Sequence, residues 1–424
     1  MKRFYKPKVV MSIHGYKSKG KWQDLLSECI KEESLISTPY KYGYKIFRIL
    51  PHHIKRDVSK FRDWYFSIVD NNSFELRISE PFHRPSIIAH SLGTWILVKA
   101  LMKYPEIKFD KIFLFGSIIP ENFDWFKLIL GDQVNSVIYE KADKDVIARL
   151  GWIFTGSWKP CGRNGFIQKS SFLKEETFSQ FGHADFNYRA HFKEYIIKRL
   201  QEQPHQLSII PGRKLFEKDA WKIFKDTGQI DQLLYPQQYT QNEISTSKAI
   251  EWFRIEKDIW SIVINSYNRA VLGYINAMPV KEETYNQFCS GNLLEKDIKA
   301  SDIHDYDTQS DYYLIILSVA IKKGIANEET MMTKGRIAEM LIMSFIYKIN
   351  LHNNNKNTIR KMAAFAWSEE GRKLCEGFCM EKVPSHEPNF PLYELNFGRL
   401  TTNKIKQANF MSKWWYKQLI KVKD

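Results

Sequence analysis

The sequence predicts two α/β-type units in series, a three-layer unit with a mostly parallel sheet followed by an α+β unit. Three observations lead there. The chain has 424 residues, too long for one ordinary core and suited to two domains. Through about residue 200, short continuous apolar runs alternate with helical patterns, as in a parallel sheet covered on both faces. The segment QEQPHQLSIIPGRK, with Pro204 and Pro211, then breaks that rhythm. It divides the chain into residues 1–204 and 205–424.

In the first half KVVMSIHGY, YKIFRIL, PSIIAHS, KIFLFGSI and NSVIYEKAD read as strands, and WQDLLSECIKEE, FRDWYFSIV, TWILVKALMKY and HFKEYIIKRL as helices. In the second half KDAWKIFKD and SKAIEWFRIEKD read as helices, and IWSIVINSYNRAVLGYINAMPV as a strand pair turning at Asn268. DYYLIILSVAI, the long helical TMMTKGRIAEMLIMSFIYKI and TIRKMAAFAW follow. HNNNKN at residues 352–357 reads as a loop.

Composition narrows the function classes. Hydrophobic residues make up 44% of the chain, enough for substantial cores, and no long charge-free apolar run predicts a membrane span. The N-terminal VVMSI run is too short for a signal peptide, and the five scattered cysteines lack paired metal-ligand spacing. A reducing cytoplasmic setting without structural metal is the expectation. The net charge is +15, concentrated early: residues 1–204 hold 33 Lys+Arg against 22 Asp+Glu. The lysines are dispersed, so a solvated basic surface is favoured over a nucleic-acid site, and oligomeric state is left open.

RPSIIAHSLGTWILVKAL places Ser91 between a buried strand and a helix. A strand–nucleophile–helix turn needs small residues two before and two after the nucleophile, and Ala89 and Gly93 fill those places. IHGY at the end of the first strand offers a backbone N–H at Tyr16, which with that of Leu92 would make an oxyanion hole. SVIYEKADKDVIA supplies Asp143 and Asp145 at a later strand end. Asp145 is preferred because Val146 and Ile147 would pack its loop onto the domain. FSQFGHADF supplies His183 ahead of a closing helix, while His90 and His14 are read as shaping the loops and His191 has no matching context.

The order Ser91, Asp145, His183, with HGY upstream, resembles the α/β-hydrolase family over about residues 6–203. The resemblance implies that Ser91 attacks an acyl carbonyl, His183 takes and returns the proton, and Asp145 fixes the imidazole tautomer. A small-molecule acyl compound is the implied substrate. Alanine at 89 departs from the family's first glycine.

The second half resembles the GNAT N-acetyltransferase family over roughly residues 212–400, through L-G-Y-I in the second strand, the strand ending SVAI, and G-F-x-x-x-K. The resemblance implies a mixed sheet, acetyl-CoA or another acyl-CoA as cofactor, and an amine acceptor. Pantetheine would lie along Leu317, Ser318 and Val319. Pyrophosphate would meet Thr333, Lys334, Gly335 and Arg336 at a helix start. Ile337 departs from the family's second small position, and Trp367 and Lys373 stand where Asn and Tyr are customary. Asp302 and Asp305 are candidates to attract the amine.

Overall fold

A computed structural model of the chain describes residues 9–15, 20–40, 51–73, 83–156, 159–202, 207–235, 244–306, 308, 310–325, 333–352, 358–386 and 390–400. The structure separates into two compact units, and the change-over falls between Gln206 and Leu207.

The first unit is built on six strands: β1 (Val9–Ile13), β2 (Ile36–Tyr40), β3 (Ser86–His90), β4 (Phe109–Phe115), β5 (Val134–Ala142) and β6 (Leu173–Phe178). Their order in the sheet is β2-β1-β3-β4-β5-β6, and every neighbouring pair is parallel. Strands β1, β3 and β4 are buried along their whole length, which is why they read as continuous apolar runs. Crossover helices such as Lys21–Glu32, Pro51–Asn71 and Leu92–Lys103 cover the sheet. The strand expected at YKIFRIL lies outside the described residues. The strand beside β1 is ISTPY, whose Pro39 sits on an edge strand, where a missing N–H is tolerated.

The second unit holds seven strands: β7 (Leu207–Pro211), β8 (Trp260–Asn265), β9 (Val271–Val280), β10 (Tyr312–Ile321), β11 (Ile359–Phe365), β12 (Glu381–Val383) and β13 (Leu392–Asn396). The order is β12-β13-β11-β10-β9-β8-β7, parallel only between β10 and β11. This is the mixed sheet of an α+β unit. Part of the segment read as a linker is therefore strand β7, antiparallel to β8 on the sheet edge. The β8–β9 hairpin closes through side-chain turns: Asn265 Oδ1 accepts from the Tyr267 and Asn268 N–H, and Asn268 Oδ1 from Ala270 N–H. Trp252, Trp260 and Phe224 anchor the core on the side of helices Glu217–Leu234 and Thr246–Ile255. Among the described residues no helix is long and apolar enough to cross a membrane.

The divergence of β10 from β11 positions the second site. The two strands pair from Tyr312 through Ile316 only, whereas β10 stays paired with β9 through Ile321. The β10–β9 register slips between Ile316 and Ser318, so Leu317 is the extra residue of a bulge. Backbone groups of Leu317–Val319 on the β11 side are thereby released from the ladder.

Candidate active sites

The first site gathers at the C-terminal ends of parallel strands, where open α/β sheets place their ligands. Ser91 follows β3 directly, with φ 53° and ψ −124°, a strained conformation that costs on the order of 1–3 kcal/mol. Such strain is sustained by the helix Leu92–Lys103 starting at the next residue and by Ser91 N–H donating to Phe115 C=O. Close packing enforces the small residues of the turn. A Cβ on Gly93 would lie 2.7 Å from the His14 carbonyl oxygen, and one on Gly15 2.5 Å from Ser91 Cβ.

Ser91, His183 and Asp145 are joined in series. His183 Nε2 lies 2.9 Å from Ser91 Oγ, and His183 Nδ1 lies 3.0 Å from each Asp145 carboxylate oxygen. A carboxylate only accepts, so Nδ1 carries the ring proton and Nε2 presents a lone pair to the serine hydroxyl. Asp145 is fully buried and its Oδ1 also accepts from Ala148 N–H at 2.8 Å. Asp143 instead stands 3.6 Å from Lys141 Nζ. Contrary to expectation, Val146 and Ile147 are 63% and 54% exposed and do not pack the Asp145 loop inward. The bond to Ala148, itself buried, ties the loop.

Leu92 N–H opens its helix and has no acceptor within it. Tyr16, the other expected oxyanion donor, lies outside the described residues.

Two supporting residues were not given their full weight by the sequence. His90 is buried, and its Nε2 donates to the His183 carbonyl oxygen at 3.0 Å. Burial, then the neighbouring His183, pushes its imidazole down to about 3, so it stays neutral and braces the histidine loop. Gly116, just after β4, has φ +50°, and a Cβ there would lie 2.8 to 2.9 Å from His183 atoms. His191 is also placed: its Nε2 lies 2.5 Å from Glu140 in a buried pair. Burial raises the Glu140 carboxyl to about 7 against the opposing bond from His191.

In the second unit Leu317, Ser318, Val319, Lys334 and Gly335 line one cavity between the diverging strands, of volume about 610 Å³. Thr333 and Arg336 do not line it; Thr333 Oγ1 accepts from Arg336 N–H and so caps the helix Lys334–His352. The cavity suits an acyl-CoA chemically: its lining combines strand backbone left unpaired by β11, the cations Lys323 and Lys334, and apolar Ala338, Ile342 and Phe378. Phe378 belongs to the G-F-x-x-x-K stretch.

A second cavity meets the first at Ile316, Leu317, Ser318, Tyr235, Phe365 and Trp367. At that junction Tyr235 Oη lies 3.0 Å from Ser318 Oγ, and burial keeps the phenol protonated. Tyr235 is a hydroxyl the sequence did not single out, and Lys373 lies exposed outside both cavities. Asp302 and Asp305 line neither; Asp302 accepts from Lys299 N–H in a surface turn. The acidic residues that do face the second cavity are Asp231 and Glu295.

No family model and no curated protein matches this sequence. Solved structures similar to parts of it include α/β hydrolases and GNAT acetyltransferases. An uncharacterized protein from Bacillus cereus ATCC 10987 is 14% identical, with a TM-score of 0.33 over 46% of this chain. This chain spans 59% of that protein's length. A predicted CIB-like hydrolase from Thermoplasma acidophilum is 13% identical, TM-score 0.30, over 46% of this chain and 87% of the other. An N-acetyltransferase from Staphylococcus aureus Mu50 is 16% identical, TM-score 0.28, over 45% of this chain and 98% of the other. The fold itself rests on the strand orders and connections described above.

Proposed function

We propose that the first unit is a serine hydrolase acting on an acyl bond and the second an acyl-CoA-dependent N-acyltransferase. The observation that carries the first reading is the unbroken hydrogen-bond series Ser91–His183–Asp145 on a strained strand-to-helix turn. Ser91 Oγ adds to the acyl carbonyl carbon as its proton passes to His183 Nε2. The resulting oxyanion receives the Leu92 N–H. His183 then returns the proton to the leaving group as the carbonyl re-forms, and water repeats the sequence to free the acid. Asp145, held by Ala148 N–H, stabilises the imidazolium in both halves. Val146, Ile147 and Ile153, all exposed on the segment that follows Asp145, support an apolar acyl chain.

Fluorophosphonate labelling tests this half: the native chain should label at Ser91 and the S91A variant should not. Undiminished labelling of a folded S91A chain removes the assignment.

The strand divergence at Leu317 supports the second half of the reading. Backbone groups of Leu317–Val319 would hold the pantetheine as an added strand, and Lys334 with the helix start would face the phosphates. Bound there, acyl-CoA supplies a thioester activated for transfer to an amine. Tyr235, which lines both cavities and contacts Ser318, would protonate the departing thiolate. Titration calorimetry with acetyl-CoA tests the site, and an absence of heat at millimolar ligand refutes it.

A further inference from the structure

The first unit holds a second carboxylate–imidazole contact that the proposed mechanism does not use. Glu140 on β5 and His191 are 3% and 5% exposed, and His191 Nε2 lies 2.5 Å from Glu140 Oε1. The bond is available in either proton arrangement, Nε2–H donating to a carboxylate or a carboxyl O–H donating to Nε2. Glu176, in register with Glu140 on β6, is bonded instead by Arg199 at 2.8 Å. Glu140 and His191 therefore form a pair of their own. Burying such a pair is costly, and apolar side chains of similar volume would hold a fold at least as well. Stability alone does not account for it.

The place of the pair in the chain supplies another role. Glu140 stands five residues before Asp145, on the strand that delivers the acid, and His191 eight residues after His183, on the segment that delivers the base. The contact thus closes a loop around both. The main chain makes the same junction once more, through Lys144 N–H donating to Phe181 C=O at 3.2 Å. Aromatic packing links His191 to the site by two paths. In one, its ring packs edge-on to Phe178 and Phe181, which stack on each other at 4.7 Å, and Phe181 directly precedes Gly182 and His183. In the other, His191 meets Phe115, Phe115 stacks on Phe186, and Phe186 tilts over His90, which donates to the His183 carbonyl oxygen. Close packing of this kind transmits a displacement rather than absorbing it. The helix that opens at Arg189 also widens into a π-helix over Phe192–Ile197, a rare form that recurs at functional sites.

We infer that Glu140 and His191 are positioning residues of the hydrolase site: their bond clamps the strand end bearing Asp145 to the segment bearing His183, and so holds the imidazole against Ser91 Oγ. The inference rests on the serine hydrolase reading. Both residues are buried and act through His183 and Asp145, so loss of the clamp should slow turnover without weakening substrate binding.

Steady-state hydrolysis of a p-nitrophenyl ester by the full chain tests this, with thermal melting to establish that each variant is folded. E140L should lower kcat by about 10–100-fold while KM stays within ~2-fold of native. E140Q, which keeps an acceptor for the imidazole N–H, should bring kcat back to within ~5-fold of native. E140L leaves a lone imidazole in the core, so the double variant E140L/H191L separates positioning from packing. It replaces the pair by apolar volume and should melt no lower than the native chain, yet its kcat should stay as low as that of E140L. Native kcat in the folded double variant, or a rise in KM with kcat unchanged, overturns the inference. Fluorophosphonate labelling of the native chain keeps the two claims apart. A native chain that does not label refutes the hydrolase reading and the clamp with it, whereas a labelled native chain beside a fully active E140L/H191L refutes the clamp alone.

Discussion

The two units make their candidate sites from different materials. In the first, three side chains just past β3, β5 and β6 are linked in series through His183 by contacts of 2.9 and 3.0 Å, and the chemistry resides in their functional groups. In the second, the candidate cofactor wall is backbone, where β10 parts from β11 after Ile316, and the adjoining cavity is walled largely by aromatic and aliphatic residues. A site of side chains fails abruptly when one group is removed. A site of backbone and shape degrades by degrees, because each lining residue contributes a fraction of the contact. Substitutions should therefore divide the units by the size of their effect.

The largest effect is expected in the series itself. S91A should lower ester hydrolysis by roughly 10⁴-fold or more, and D145N by about 10³–10⁴-fold because His183 would lose the tautomer that accepts the serine proton. Steady-state kinetics with a p-nitrophenyl ester measures both, and losses below ~10-fold in folded variants would erase the contrast between units. G116A comes next. Its Cβ would press on His183 and its φ of +50° disfavours any side chain, so activity should fall by about 10–100-fold from geometry alone. Retention of full activity would mean that the histidine loop adapts.

In the second unit Y235F should slow transfer by about 10-fold while acetyl-CoA affinity stays the same, as expected for a hydroxyl that acts on the leaving thiolate. A matching loss of affinity would instead make Tyr235 part of the binding wall. The kcat and calorimetric Kd together discriminate.

The same contrast explains what could be read from the sequence. Strands β1, β3, β4 and β5 lie inside the first sheet and read as near-continuous apolar runs. Strands β2 and β6 escaped notice because edge strands carry polar residues, ISTPY and LKEETF, and β7 was concealed in a proline-bearing segment that looks like a linker. Ser91, Asp145 and His183 were readable because a strand-end nucleophile constrains its neighbours in sequence. The bulge at Leu317 has no such signature within YYLIILSVAI, since any residue of an apolar strand can be the extra one. Asp231, Asn276 and Glu295 belong to a helix, a strand and a turn, and no spacing rule links them.

The smallest effect concerns stability rather than rate, and its sign follows from Glu295. Its carboxyl ionises near 4.5 in an unfolded chain and near 8 in the folded one. Between those values the folded state holds more protons, so stability falls as pH rises from about 4.5 to about 8 and changes no further above. E295Q removes that dependence. The melting temperature of the variant's second unit, relative to the native chain, should therefore climb across pH 5–8 and level off beyond it. Thermal denaturation followed at several pH values reads the difference, expected to be a few degrees. Parallel melting curves across pH would show that Glu295 is solvated in the folded chain.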